Sequence, residues 1–108
     1  MVTRKSVRYK VPMNVFYNGA HCPLIDFSRT GAGLNFDKEA PPEGETVELM
    51  MVFPHRTGNE GWAVHANVVR VDEEKKFFAV DFVEDQNFKE FVNEFISYMR
   101  EERQLRQV

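Results

Sequence analysis

The chain has 108 residues, 43% of them hydrophobic and 29% charged, with a formal charge of −3 at neutral pH. This is the size and make-up of one globular domain, and its acidic balance disfavours nucleic acid as a partner. Cys22 is the only cysteine, which excludes an internal disulfide and a cysteine-based metal site.

Residues 1–8 are polar and basic without apolar periodicity and read as a mobile arm. From Tyr9 to Tyr17 the side chains alternate, with Val11, Met13, Val15 and Tyr17 on one parity, the pattern of a half-buried strand. Asn18-Gly19 is a strong hairpin signal, and His21 to Phe27 is the expected return strand. "SRTGAG" reads as a turn and "AGLNF" as a third strand. "DKEAPPEGE" is a polar loop rich in turn-formers. Thr46–Phe53, Trp62–Val71 and Phe77–Val83 are the fourth, fifth and sixth expected strands. The fifth has mixed parity: Val64, Ala66 and Val68 fall on one side, Val69 and Val71 on the other. Either a bulge or burial on both faces explains that.

Periodicity changes at the end of the chain. Phe88, Phe91, Val92, Phe95, Ile96 and Met99 recur at spacings of three and four, one face of a helix, and Asp85 is placed to cap it. The expected fold is therefore mainly β: a small six-stranded antiparallel barrel over 9–83 with a C-terminal helix over 85–106, in a single domain spanning 1–108. No secretory apolar segment opens the sequence and no apolar run would span a bilayer, so a cytoplasmic protein without membrane insertion is expected.

Charge is unevenly spread. Arg4, Lys5, Arg8 and Lys10 give residues 1–25 a charge of +4 with no carboxylate, leaving −7 for the rest of a chain whose total is −3. A local basic segment on an acidic body suits a compact anion better than a duplex, because a few charge-assisted hydrogen bonds hold it. Arg4 and Arg8 are four positions apart; their guanidinium forks match phosphate oxygens and the O6/N7 edge of guanine. In "DFSRTGAG", Asp26 can accept two hydrogen bonds from the N1–H and N2–H₂ edge of guanine. Ser28 is a turn-former, and Gly31 permits positive φ or close backbone approach. Taken singly, the first stretch is also a solvated tail and the second an ordinary Asx or Ser turn.

The ordered pair, RxxxR at Arg4 and Arg8 followed by DxSxxG at Asp26, Ser28 and Gly31, resembles the PilZ domain family, and the resemblance extends to the terminal helix. "AVDFVE" is similar to the family's last strand, with Ala79 where Gly is usual; that departure is expected to touch packing and not the ligand. Family members with both motifs bind cyclic di-GMP, which implies the ligand site Arg4, Arg8, Asp26, Ser28 and Gly31. Arg70, a cation among apolar residues of the fifth strand, is a further candidate. Similar proteins often place an Arg or Trp there to stack on guanine; an outward arginine paired with an acid is the other reading. Thr3, where relatives holding an intercalated ligand dimer have Arg, implies one ligand molecule per site.

Signals for catalysis fail. His21 and Cys22 are strand neighbours and point to opposite faces. No HExxH, GxSxG, Walker or dinucleotide pattern occurs. The expected function is a non-enzymatic receptor that binds cyclic di-GMP, needs no cofactor or metal, and regulates an effector protein. A PilZ-like interaction module that does not bind the nucleotide is the alternative.

Overall fold

Asn18 and Gly19 both take positive φ, 50° and 79°, the conformation of a two-residue hairpin turn. They join β2 (Asn14–Tyr17) to β3 (Ala20–His21), with Tyr17 opposite Ala20. The computed structural model describes residues 9–10, 13–53, 61–102 and 106–107. Through these the remaining elements are β1 (Tyr9–Lys10), β4 (Leu24–Phe27), β5 (Gly31–Asn35), β6 (Thr46–Val52), β7 (Gly61–Asp72), β8 (Phe77–Phe82), α1 (Gln86–Glu102) and β9 (Arg106–Gln107).

The fold is mainly β with one C-terminal helix, as expected, but the six expected strands become eight, and a ninth, β9, follows the helix. The first splits into β1 and β2 and the second into β3 and β4, with Met13 and Cys22–Pro23 outside any strand. Each expected strand contains a proline, Pro12 or Pro23, which has no N–H to give to a ladder. The split is what curls the sheet. Its order is β3-β2-β6-β7-β8-β5-β4-β1-β9, with every pairing antiparallel. β1 and β2 are separated by three residues in sequence yet pair towards opposite ends of that order, β1 with β4 and β2 with β6.

The inner face of the curled sheet is apolar. Val15, Leu34, Leu49, Met51, Val64, Ala66, Val68, Phe78 and Val80 are all buried there. The face of α1 carrying Phe88, Phe91, Phe95, Tyr98 and Met99 completes this core. Phe95 lies 4.8 Å from Phe27, Tyr98 4.9 Å from Phe53, and Phe88 4.9 Å from Phe82, ring centre to ring centre. Asp85 caps the helix: its Oδ1 accepts the Phe88 N–H at 2.9 Å. That bond, with a second contact from its Oδ2 to His65 Nδ1 at 3.2 Å, holds the Asp85 carboxyl below its ordinary pKa.

One expectation is corrected here, and one pair of alternatives is narrowed. The helix does not reach Arg106; α1 runs to Glu102, and Arg106 lies in β9 opposite Lys10. Apolar periodicity stops at Met99, so burial no longer favours helix beyond it, and the edge of β1 offers backbone partners instead. Gly31 does not use a positive φ; among the described glycines only Gly19 and Gly44 do. His21 and Cys22 divide as expected, one exposed and the other buried. Burial pushes the Cys22 thiol above its ordinary pKa. No helix among the described residues is long and apolar enough to cross a membrane.

A candidate ligand face on the outside of the sheet

The mixed parity of β7 is a bulge. Val68 lies opposite Val80, yet the next residue paired to β8 is Arg70, opposite Ala79; Val69 is the extra residue and is exposed. In an unbroken register Val69 would face Ala79, and Arg70 would face Phe78 on the buried side. The bulge therefore turns Arg70 outward and returns Val71 to the side of the core, where it packs half-buried opposite Phe78.

With the register fixed, four residues form one row across the outer face. Asp26 on β4 pairs with Gly33 on β5, Gly33 with Ala79 on β8, and Ala79 with Arg70 on β7. Three inter-strand steps of about 4.8 Å separate the ends by about 14 Å along the backbone. A carboxylate stands at one end and a guanidinium at the other, with the two smallest side chains as floor. Ala79 thus belongs to this floor and not to packing alone. A side chain at Gly33 would crowd the face: its Cβ would lie 3.3 Å from Asp26 Oδ1 and 3.1 Å from Phe77 Cε1. Phe77 leans over the row from two residues before Ala79, and its ring centre is 5.2 Å from Arg70 Cζ.

Ser28 and Gly31 build the turn beside this row. Ser28 is 2% exposed. Its Oγ accepts the N–H groups of Thr30 and Gly31 at 3.3 and 3.2 Å, and its own N–H donates to the Gly31 carbonyl at 2.9 Å. The Thr30 carbonyl accepts the Phe82 N–H at 2.9 Å, which fastens the turn to β8. Gly31 answers to close approach: a Cβ there would lie 2.2 Å from the Val80 carbonyl oxygen. At the other end of the row, the "PPEGE" loop supports the bulge. Gly44 N–H donates to Val68 O at 2.7 Å, Val68 N–H to Glu45 O at 2.9 Å, and Val71 N–H to Glu43 Oε1 at 2.8 Å.

Of the six expected site residues, Asp26 and Arg70 thus share one row, and Ser28 and Gly31 form the turn adjoining it. Arg4 and Arg8, with Thr3, lie outside the described residues. The arm's attachment point is placed all the same: Tyr9 pairs with Phe27, next to Asp26. Gly33 and Phe77 were not singled out by the sequence. Gly33 had a signal, since it shares Gly31's parity on the same strand; Phe77 had none, because its reach depends on register.

A cleft of about 820 Å³ lies elsewhere, between the β2–β3 hairpin and residues 35–39. Asp26, Ser28, Gly31 and Arg70 do not line it. The outer row, by contrast, brings an acceptor and a cation together across two small residues. No group of three or more potential metal ligands occurs among the described residues.

Comparison with known proteins bears on the fold and the family. No curated protein matches the sequence. Among solved structures, the Bacillus subtilis inhibitor of motility (MotI/DgrA) superposes with a TM-score of 0.61 at 14% identity, over 94% of this chain and 52% of that one. This chain therefore spans about half of that protein's length, and the likeness is one of fold. The PilZ domain family model matches residues 3–97, a range that holds both motifs and all four residues of the outer row. The chain belongs to the PilZ domain family.

Proposed function

We propose that the chain is a receptor for cyclic di-GMP that acts in the cytoplasm by contact with an effector protein. The observation that carries this is the outer row: a guanine-edge acceptor, Asp26, and a cation, Arg70, about 14 Å apart across a floor of Gly33 and Ala79. The family is one of binding and adaptor modules, which fits the want of a catalytic pattern.

In this reading Arg4 and Arg8 give their forks to the phosphates and to a guanine O6/N7 edge. Asp26 accepts from a guanine N1–H and N2–H₂. Arg70 stacks on a purine face. Ser28 and Gly31 serve by shaping the turn that carries Asp26 towards the row. Binding folds residues 1–8 over the ligand, and the surface so created is what the effector reads. Because the structural neighbour is named as an inhibitor of motility, motility machinery is the first place to seek the effector.

Isothermal titration with cyclic di-GMP tests the receptor reading directly. Saturable heat with a stabilised melting transition is the expected result. No heat and no shift would leave a PilZ module that works by protein contact alone. Affinity capture with and without the nucleotide then tests the effector step, and capture that ignores the nucleotide would overturn it.

A further inference from the structure

We propose that Phe77 is a positioning residue of the ligand face, holding the Arg70 guanidinium at a fixed height beside the Gly33–Ala79 floor. The inference rests on the receptor reading above and adds to it the part that sets Arg70 in place before ligand arrives.

Arg70 by itself is exposed and has several rotatable bonds, so an unheld guanidinium would lose conformational entropy on stacking against a ligand. Phe77 removes much of that freedom. Its ring centre lies 5.2 Å from Arg70 Cζ, within cation–π range. The same ring abuts the Gly33 position, with Cε1 and Cζ 3.1 and 3.3 Å from where a Cβ would sit. One ring therefore touches both the floor of the row and the cation at its end. It can do so because Gly33, its diagonal neighbour on β5, and Ala79, two residues further along β8, leave the space that larger side chains would fill.

The ring is itself held from below. Lys76 takes φ of 55° at the end of the β7–β8 turn, and its carbonyl accepts both Asn35 Nδ2 and the Phe36 N–H at 3.0 Å. Asp72 Oδ1 accepts the Lys75 N–H at 3.0 Å across the same turn. Phe77 follows Lys76 directly and pairs with both Asn35 and Asp72. The backbone that carries the ring is thus set by two neighbouring strands and a closed turn, none of which requires ligand. Arg70, aimed outward by the bulge at Val69, meets a platform already fixed.

Two measurements decide this. In the ligand-free protein, ring current from Phe77 should displace the Arg70 Nε–H resonance; F77L should return it to the position typical of an unstacked arginine, and F77Y should keep it displaced. In titrations with cyclic di-GMP, F77L should weaken binding about two- to fivefold, the equivalent of one exposed cation–π contact, while F77Y binds as the wild type does. The loss should vanish when F77L is made on an R70A background, because the two residues act as a unit. Melting transitions of all variants report whether the fold is kept. An Arg70 resonance unmoved by F77L, or losses that simply add in the double variant, would overturn the proposal. Wild-type protein that binds no cyclic di-GMP would overturn the receptor reading instead, and the Arg70 resonance would still decide whether Phe77 holds the guanidinium.

Discussion

Two rows run side by side across the same four strands. Phe27, Ala32, Val80 and Val68 form the inner row, each at most 3% exposed. Asp26, Gly33, Ala79 and Arg70 form the outer row. On β4, β5 and β8 the members of the two rows are adjacent in sequence; on β7 they are two apart, because Val69 intervenes. The inner row is held by dispersion and apolar burial, which any apolar side chain of suitable size and parity can supply. The outer row depends on particular side chains at one register, a carboxylate and a guanidinium across two small residues. On the proposed receptor reading, stability and recognition fall to opposite faces of one ladder, and substitutions one position apart should have unlike consequences.

The largest expected effect tests the inner row. Phe27→Ala removes a ring packed against Phe82, Phe91 and Phe95 and should cost about 3–5 kcal/mol in urea unfolding. Its neighbour Asp26→Ala should cost much less in the same measurement. A comparable loss in both would erase the division between the rows.

Next in size are the cations. Arg70→Ala, Arg4→Ala and Arg8→Ala should each weaken cyclic di-GMP about tenfold to a hundredfold, as charged or bidentate hydrogen bonds and stacking are lost, with circular dichroism unchanged. Retained affinity in the Arg4/Arg8 double variant would remove the arm from the site.

The two glycines sharpen the comparison further. Gly31→Ala meets the Val80 carbonyl oxygen at 2.2 Å, a backbone atom that cannot step aside, and should destabilise by about 1–3 kcal/mol. Gly33→Ala meets only side-chain atoms of Phe77 and Asp26 at 3.1 and 3.3 Å; it should change stability little and ligand affinity clearly. Thermal melts and titrations on the same samples separate the two. Asp26→Ala should also reduce affinity for cyclic di-GMP more than for cyclic di-AMP, whose adenine lacks the N1–H and N2–H₂ donor pair; equal loss would deny it the guanine edge.

The smallest effect lies at the helix cap, outside both rows. The folded protein holds Asp85 ionised more strongly than the unfolded chain does. Its contribution to stability is therefore present above the ordinary carboxyl range and is lost as pH falls through that range and the lower folded value. Melting temperatures of wild type and Asp85→Asn should differ at neutral pH and converge on acidification. A gap that persists at low pH would assign the cap's effect to something other than its charge.

Val68's place in the inner row was legible from its alternation with Val64 and Ala66, because burial imposes period two whatever the partner strand. The Asn18-Gly19 turn and the Asp85 cap were legible for a similar reason: the chemistry that forms them is local. The splitting of the first two strands was written in Pro12 and Pro23 but was outweighed by strong alternation around them. The parity break at Val69 announced an irregularity without saying which kind. Gly33 and Phe77 escaped notice because their roles exist only across strands, through pairings that a linear sequence does not display. β9 escaped because two residues without periodicity fold only against an edge supplied by the far end of the chain.

The pairing of Tyr9 with Phe27 also fixes a local concentration. Covalent geometry keeps Arg4, five residues before Tyr9, within about 18 Å of that anchor even at full extension, a distance similar to the length of the outer row. The arginines of the arm therefore never dilute into bulk solvent; they are confined to a volume of molecular size next to the ligand face. On the proposed receptor reading, a nucleotide held first by Arg70 and Asp26 would meet Arg4 and Arg8 as an intramolecular event, with an effective molarity set by the tether and not by the protein's abundance. Lengthening the chain between Arg8 and Tyr9 by a few glycines would lower that molarity while leaving every contact available. Affinity would then fall with linker length, and the site chemistry itself would stay as it is.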